Sequence, residues 1–373
     1  MKNIYFDNAS TTPLRAEVIA SITDSMQLVF GNPSSSHSFG RSAKSSLELC
    51  RKQIASLVNC TSQELIFTSG ATEANNWILR SAIQSLNIER IITSKIEHHA
   101  VLYAVQALQK EFNIEVDYVN VKPNGHICTT NLVQLLSNNK PTLVSLMHVN
   151  NETGVVLDVD YIAKICKEHQ AYFHSDAVQS VGKYRFDLQN TSIDFLTATA
   201  HKFHGPKGIG FAFVRKGLFM NALIVGGEQE KGLRAGTEAI HNIVGMAKAL
   251  ELCYTNLEEE QTYIANLKNY CQQQFFQYFK GVIVNGTETF YNILNVTLPF
   301  SPEKTPLILF HLDMKGIAVS RGSACQSGSL KPSHVLAEML SDDDLLKPSL
   351  RVSFSHYNTI AEIDFFIETL RNI

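Results

Sequence analysis

Three short stretches carry side chains that could act together on one ligand. In "FTSGATEANN", residues 67–76, a β-rich run ends, Ser69-Gly70-Ala71-Thr72 makes a turn, and a helical pattern begins. Free backbone N–H groups at a helix start, with a hydroxyl beside them, form an anion site suited to a phosphate. The other reading is a plain helix cap by Ser69 or Thr72, supported by Glu73 or Asn75. In "FHSDAVQSVGK", residues 173–183, Asp176 ends an apolar run. A carboxylate there can hold a proton on a heterocyclic nitrogen and make the ring an electron sink, or it can simply cap the next turn. In "TATAHKFHGPKG", residues 197–208, Lys202 stands among small residues that would admit a flat ligand, with Thr199 and His201 as phosphate donors beside it. A lysine of lowered pKa at such a site can form a Schiff base. Lys207 is the competing amine, and its Gly-Pro turn is expected to present it to solvent. Phosphate turn, carboxylate and lysine in this order suggest pyridoxal phosphate as the cofactor.

The elements that must position these residues follow from hydrophobic patterning. From about residue 41 to 215, helical and strand-like stretches alternate. "RSAKSSLELCRKQIASLV" spaces Ala43, Leu47, Cys50, Ile54 and Val58 as one helix face. "ELIFTS", "RIITS", "EVDYVNV", "TLVSLMHV", "AYFHSDA", "IDFLTAT" and "IGFAFV" are short and nearly continuous in apolar residues, as strands covered on both faces are. This predicts an α/β domain with a mostly parallel sheet whose ligands sit at the carboxyl ends of the strands. After about residue 238 the pattern changes to long amphipathic helix with a break near Thr255, then short strands in "VIVNG", "NILNVTL" and "GIAVS", and a closing helix in "IAEIDFFIETLRNI". A large α/β domain over 15–250 and a smaller α+β domain over 1–14 and 251–373 are expected, in line with a length of 373 residues.

Composition removes several classes of function. A hydrophobic fraction of 45% with 18% charged residues is that of a globular chain, and a net charge of −3 gives no basic field for nucleic acid or polybasic membrane patch. No apolar run is long enough for a signal peptide or a membrane span. The seven cysteines contain no CxxC pair, which supports neither a disulfide framework nor a zinc knuckle. A cytoplasmic protein with reduced thiols is expected. Metal binding by His98, His99, His201 and His204 is an alternative that no spacing compels.

The motifs together resemble the cysteine desulfurases of the class V aminotransferase group, nearly end to end. The carrying segments are "YFDNASTTP", "GNPSSSHSFG", "FTSGATEANN", "EHHAV", "HVNNETG", "HSDAVQ", "AHKFHGPKGIG", "RAGTEAIHNIVG" and "SRGSACQSGSLKPSHVL". The resemblance implies a fold-type-I, pyridoxal-phosphate-dependent homodimer, its large domain built on a seven-stranded type of sheet, that takes sulfur from L-cysteine and releases L-alanine. It implies Lys202 as the Schiff-base lysine and His98 as the residue stacked on the ring and moving protons. Asp176 would pair with the pyridine nitrogen and Gln179 with the phenolic oxygen. Thr72, Thr199 and His201 would hold the phosphate, joined by Thr237 from the other subunit, and Asn151 and Arg351 would bind the substrate carboxylate. An arginine fork suits a carboxylate and an imidazole suits stacking on a flat ring. His98 and His99 are adjacent, so in an extended segment only one faces the ring.

The sulfur chemistry implied by the resemblance rests on Cys325 in "SRGSACQSGSL". Its thiolate would attack the substrate sulfur and carry it as a persulfide on a Gly/Ser-rich loop, destined for a sulfur-acceptor or iron–sulfur scaffold protein. An incidental loop thiol is the other reading. The "GSAC" form with a long following loop is similar to the housekeeping iron–sulfur branch of the group, although Arg321 stands where that branch more often has a small residue. Two rivals remain: a cysteine or selenocysteine lyase or a transaminase on the same cofactor, none of which requires Cys325, and a non-catalytic sulfur carrier.

Overall fold

The computed structural model describes residues 3–138, 140–305, 307–322 and 332–373. Among them, seven strands form the central sheet in the order Leu65–Thr68, Gly210–Val214, Phe195–Thr199, Tyr172–Asp176, Thr142–Ser145, Arg90–Ser94, Glu115–Val119. All neighbours pair parallel except Gly210–Val214, which runs antiparallel to both of its partners. Each strand grows from one of the apolar runs picked out above. Six of the seven are buried on nearly every residue, because helices cover both faces. Thr68, Asp176 and Thr199 are each the last residue of a strand, and these strands run the same way. Their side chains therefore reach one edge of the sheet.

The helix Ser38–Leu57 buries Ala43, Leu47, Cys50 and Ile54 as its spacing predicts. The long C-terminal pattern divides into Ile240–Thr255 and Leu257–Tyr278, broken at Asn256. A second hydrophobic core forms around a three-stranded antiparallel sheet of Ser349–Ser353, Ile293–Thr297 and Ile283–Val284, packed by Leu257–Tyr278 and Ile360–Arg371. The strand Ile4–Tyr5 pairs in parallel with Ile317–Ala318, and Phe6 enters that second core. The chain then turns back, so residues 7–12 lie against the large sheet's ligand edge. No described helix is long and apolar enough to cross a membrane.

One buried ion pair fixes the strand that leads into the phosphate turn. The Glu230 carboxylate accepts from Arg51 Nη1 and Nη2 (2.7 and 2.6 Å) and from the Phe67 amide (2.8 Å), while Arg51 Nη1 also donates to the Leu65 carbonyl. Removing one partner strands the other charge in the interior. Glu230→Ala is thus expected to lower unfolding free energy by about 3–5 kcal/mol, read by urea denaturation; an unchanged midpoint would contradict this role.

Candidate active site

A cavity of about 490 Å³ opens at that sheet edge. Its wall brings together Lys202, His98, Thr72, Asp176, Gln179, Thr199, His201, Asn151 and Arg351, nine of the residues picked out from sequence. Thr237 does not line it; this exposed residue lies in a shallow recess behind the phosphate turn with Ser69 and Gly208. Cys325 lies outside the described residues.

The turn before helix Ala71–Ser85 settles between cap and anion site. Its N-cap is Gly70, which has no side chain, and no side chain caps the first amides. Asn75 reaches instead to Asp176, and Glu73 is drawn to the Ser69 amide (2.9 Å) and to Arg234 (2.9 Å). The open amides and their positive helix end face the cavity. Gly70 adopts φ 154°, ψ −179°, a region essentially reserved to glycine, and a Cβ there would sit 3.6 Å from Thr199 Oγ1.

Asp176 is buried at the strand end, its Oδ2 accepting from Asn75 Nδ2 (2.8 Å) and its Oδ1 from the Val178 amide (3.1 Å). It therefore makes the local turn bond and is also held firmly toward the cavity. Gln179 Nε2 donates to the Ala9 carbonyl (2.9 Å), and its buried Oε1 has no partner among the described residues. Lys202 Nζ donates to the carbonyls of Ala9 (2.6 Å) and Ser10 (2.7 Å). Burial, then Arg351 and Lys183, push its pKa down to about 7. Lys207 is exposed as expected, though it still contributes to the rim.

His98 does not lie in an extended strand. It is the N-cap of helix His99–Phe112, and its Nδ1 accepts from the Ala100 amide (3.1 Å). That bond selects the neutral tautomer with the proton on Nε2. Burial, partly offset by Asp176, lowers its pKa. His99 turns away and stacks on Tyr103. His201 is pushed down to about 4 by burial and by neighbouring lysines, and its Nδ1 lies 3.2 Å from Thr11 Oγ1. When Thr11 donates there, Nε2–H is the donor left for an anion.

Arg351 is 1% exposed yet reaches the cavity wall. Its Nη1 donates to the Asn151 carbonyl (2.7 Å), and its Nη2 to Asp7 (2.8 Å) and Ser10 Oγ (2.5 Å). Among the described residues its buried Nε–H has no partner, which leaves a charge-assisted donor for a carboxylate. Asp7, Ala9, Ser10, Thr11 and Asn75 thus hold the working side chains, although sequence reasoning gave them no such part. Their signal was the run of small polar residues in "YFDNASTTP", directly after a short strand.

Residues 4–366 match the family model described as aminotransferase class-V. The chain belongs to the class-V aminotransferase family. Pyridoxal phosphate is that family's cofactor, and the uncapped helix start, the amine of Lys202 and the buried Asp176 fit it. Within the family, the chain is 38% identical to the cysteine desulfurase IscS of Dictyoglomus turgidum over all of this chain and 94% of that protein. It is also 38% identical to the putative cysteine desulfurase IscS 1 of Bacillus subtilis, over 97% of this chain and 96% of that one. Among solved class-V relatives, a NifS-like protein superposes with a TM-score of 0.91 at 33% identity, covering 100% and 99% of the two chains. SspA in complex with cysteine superposes with a TM-score of 0.83 at 31% identity, covering 95% and 100%.

The lowered pKa of Lys202 gives a pH prediction. An ordinary lysine, at 10.5, is almost wholly protonated at neutral pH and cannot attack an aldehyde, whereas Lys202 is half neutral near 7. The rate at which apoprotein captures pyridoxal phosphate, followed by absorbance, is expected to rise through neutral pH and level off above it. A rate still climbing steeply at alkaline pH would contradict the environment described. The folded amine binds its proton less tightly than the unfolded one, so this group adds stability as pH rises from about 7 towards 10.5.

Proposed function

We infer that this class-V aminotransferase is a cysteine desulfurase, which converts L-cysteine to L-alanine and passes the sulfur to Cys325 as a persulfide. The observation that carries the reading is the meeting of Lys202 with Arg351 in one cavity, in a chain alike end to end to proteins named cysteine desulfurase. A relative solved with cysteine bound supports the substrate.

Bound in the cavity, pyridoxal phosphate supplies an aldehyde for the substrate amine and a ring that draws electrons from the substrate's α- and β-carbons. The open amides at 71–73, with Thr72, Thr199 and His201, would hold its phosphate, and Asp176 would keep a proton on its ring nitrogen. Gln179 would bond the phenolic oxygen through its amide group. Arg351 and Asn151 orient the cysteine carboxylate. Lys202, near-neutral as an amine, takes the α-proton, and His98 Nε2–H is placed to return protons. The Cys325 thiolate then attacks the substrate Sγ. An S–S bond forms, the Cβ–Sγ bond breaks with its electron pair left on Cβ, and protonation there gives the methyl group of alanine.

The reading extends to a homodimer in which Thr237 completes the partner's phosphate site. Its position off its own cavity supports this, as do the exposed Ile19, Met26, Leu28, Phe30 and Phe39 on and between the first two helices. It also extends to a division into 15–250 and 1–14 with 251–373, favoured by the two separate cores. A cytoplasmic setting with a sulfur-acceptor or iron–sulfur scaffold as partner completes it.

The test is alanine and sulfide release from L-cysteine and a reducing thiol, with Cys325→Ser alongside. Equal amounts of both products from wild type, and neither from the variant, are expected. Undiminished release by the variant would make the enzyme a lyase that expels sulfide directly, and Cys325 a bystander.

A further inference from the structure

Glu152 has no part in the chemistry above, and its surroundings are unusual for a carboxylate. It is completely buried between Asn151 and Thr153. Among the described residues its one side-chain hydrogen-bond donor is the Ser333 hydroxyl, which bonds Oε2, while Oε1 has no partner. Among the described residues this buried carboxylate has one neutral donor, a poor device for stability, and its placement calls for another reason.

Position supplies one. Gly322, with φ 63°, packs directly on the same carboxylate; a Cβ added there would lie 3.1 Å from Glu152 Oε2 and 3.5 Å from Ser333 Cβ. Gly322 is the last described residue before Cys325, and Ser333 comes just after the described chain resumes. The Ser333 hydroxyl also accepts from the amides of Val335 and Leu336, so donation to Glu152 is the one role left for its proton. The Glu152 main chain is pinned on both sides. Its amide donates to Asn150 Oδ1 (3.0 Å), and its carbonyl accepts from Asn295 Nδ2 (3.0 Å). The adjacent Asn151 carbonyl accepts from Arg351, and Arg351 in turn ladders with Ser320 through both backbone groups. One rigid frame thus joins the substrate-carboxylate arginine to both chain ends that flank the sulfur-accepting thiol.

We propose that Glu152 is a positioning residue for sulfur transfer, fixing Gly322 and Ser333, the two points between which the Cys325 segment is strung. The proposal rests on the desulfurase reading. The test uses holoenzyme of wild type, Glu152→Ala, Glu152→Gln and Ser333→Ala, mixed with L-cysteine for a single turnover. Two signals are followed: the cysteine-induced change in cofactor absorbance, and sulfur on the Cys325 peptide by mass spectrometry. Misplacing reacting groups by about an ångström costs on the order of a hundredfold in rate. Glu152→Ala and Ser333→Ala are therefore expected to slow sulfur arrival on Cys325 by roughly ten- to a hundredfold, with the absorbance change and its dependence on cysteine concentration as in wild type. Glu152→Gln, whose amide oxygen still accepts from Ser333, should stay within a few-fold of wild type. Sulfur arrival at the wild-type rate in both truncations would overturn the proposal alone. Parallel loss of the absorbance change would also overturn it, by assigning Glu152 to substrate binding or folding. Absence of sulfur on Cys325 in wild type itself would remove the desulfurase reading together with it.

Discussion

Lys202→Ala is expected to purify without a covalently held cofactor and to lose activity on L-cysteine by roughly a hundred- to ten-thousandfold. Two functions disappear with one side chain. The amine that binds the aldehyde is gone, and so is the base proposed to take the substrate's α-proton. The fold should survive, because Lys202 Nζ bonds just two carbonyls, those of Ala9 and Ser10, and both can turn to water in the open cavity. The measurement pairs an absorbance spectrum with alanine formation. A variant that keeps the wild-type band, or more than a tenth of the activity, would move the anchor to another amine, with Lys207 at the rim the next candidate.

Arg351→Lys is expected to keep the cofactor band and to lose about 1.5–3 kcal/mol of substrate binding, roughly ten- to a hundredfold in kcat/KM. Lysine preserves a positive charge for Asp7, the part-exposed carboxylate that Arg351 holds at 2.8 Å. It lacks the fork that bonds Asn151, Asp7 and Ser10 while keeping Nε–H free for a ligand. Arg351→Leu should lose more, with added loss of stability from the unpaired Asp7. If kcat/KM for cysteine is unchanged in Arg351→Lys while thermal stability falls, the arginine is a structural clamp, and the substrate carboxylate binds elsewhere.

The large sheet was legible because its strands are short apolar runs separated by helical patterns, and both signals are strong where both faces are buried. Lys202, Asp176 and the phosphate turn were legible for a related reason: each follows directly on such a strand, at the edge where ligands bind. The strand Ser349–Ser353 was not picked out, although it carries Arg351. Its signal was alternation, with Leu350, Val352 and Phe354 entering the second core and Arg351 facing the other way. The alternating run is short, and one face of the strand belongs to the site rather than to a core.

The N-terminal residues were less legible still. Asp7, Ala9, Ser10 and Thr11 act through one carboxylate, two carbonyls and two hydroxyls, groups that nearly any loop possesses. What singles them out is a return of the chain over a distant sheet edge, which no local pattern encodes. His98 shows a similar limit. The adjacent histidine pair suggested alternate faces of an extended segment, but a helix begins between them, and His98 became its cap.

On the desulfurase reading the sulfur of L-cysteine passes through Cys325. This is tested most directly by reacting the holoenzyme with one equivalent of L-cysteine, without reductant, and mapping the mass of every cysteine peptide. The account predicts one added sulfur atom on the peptide bearing Cys325, none on those bearing the buried Cys50, Cys166, Cys253 and Cys271, and alanine in matching amount. Alanine or sulfide formed with no sulfur on Cys325 would contradict it.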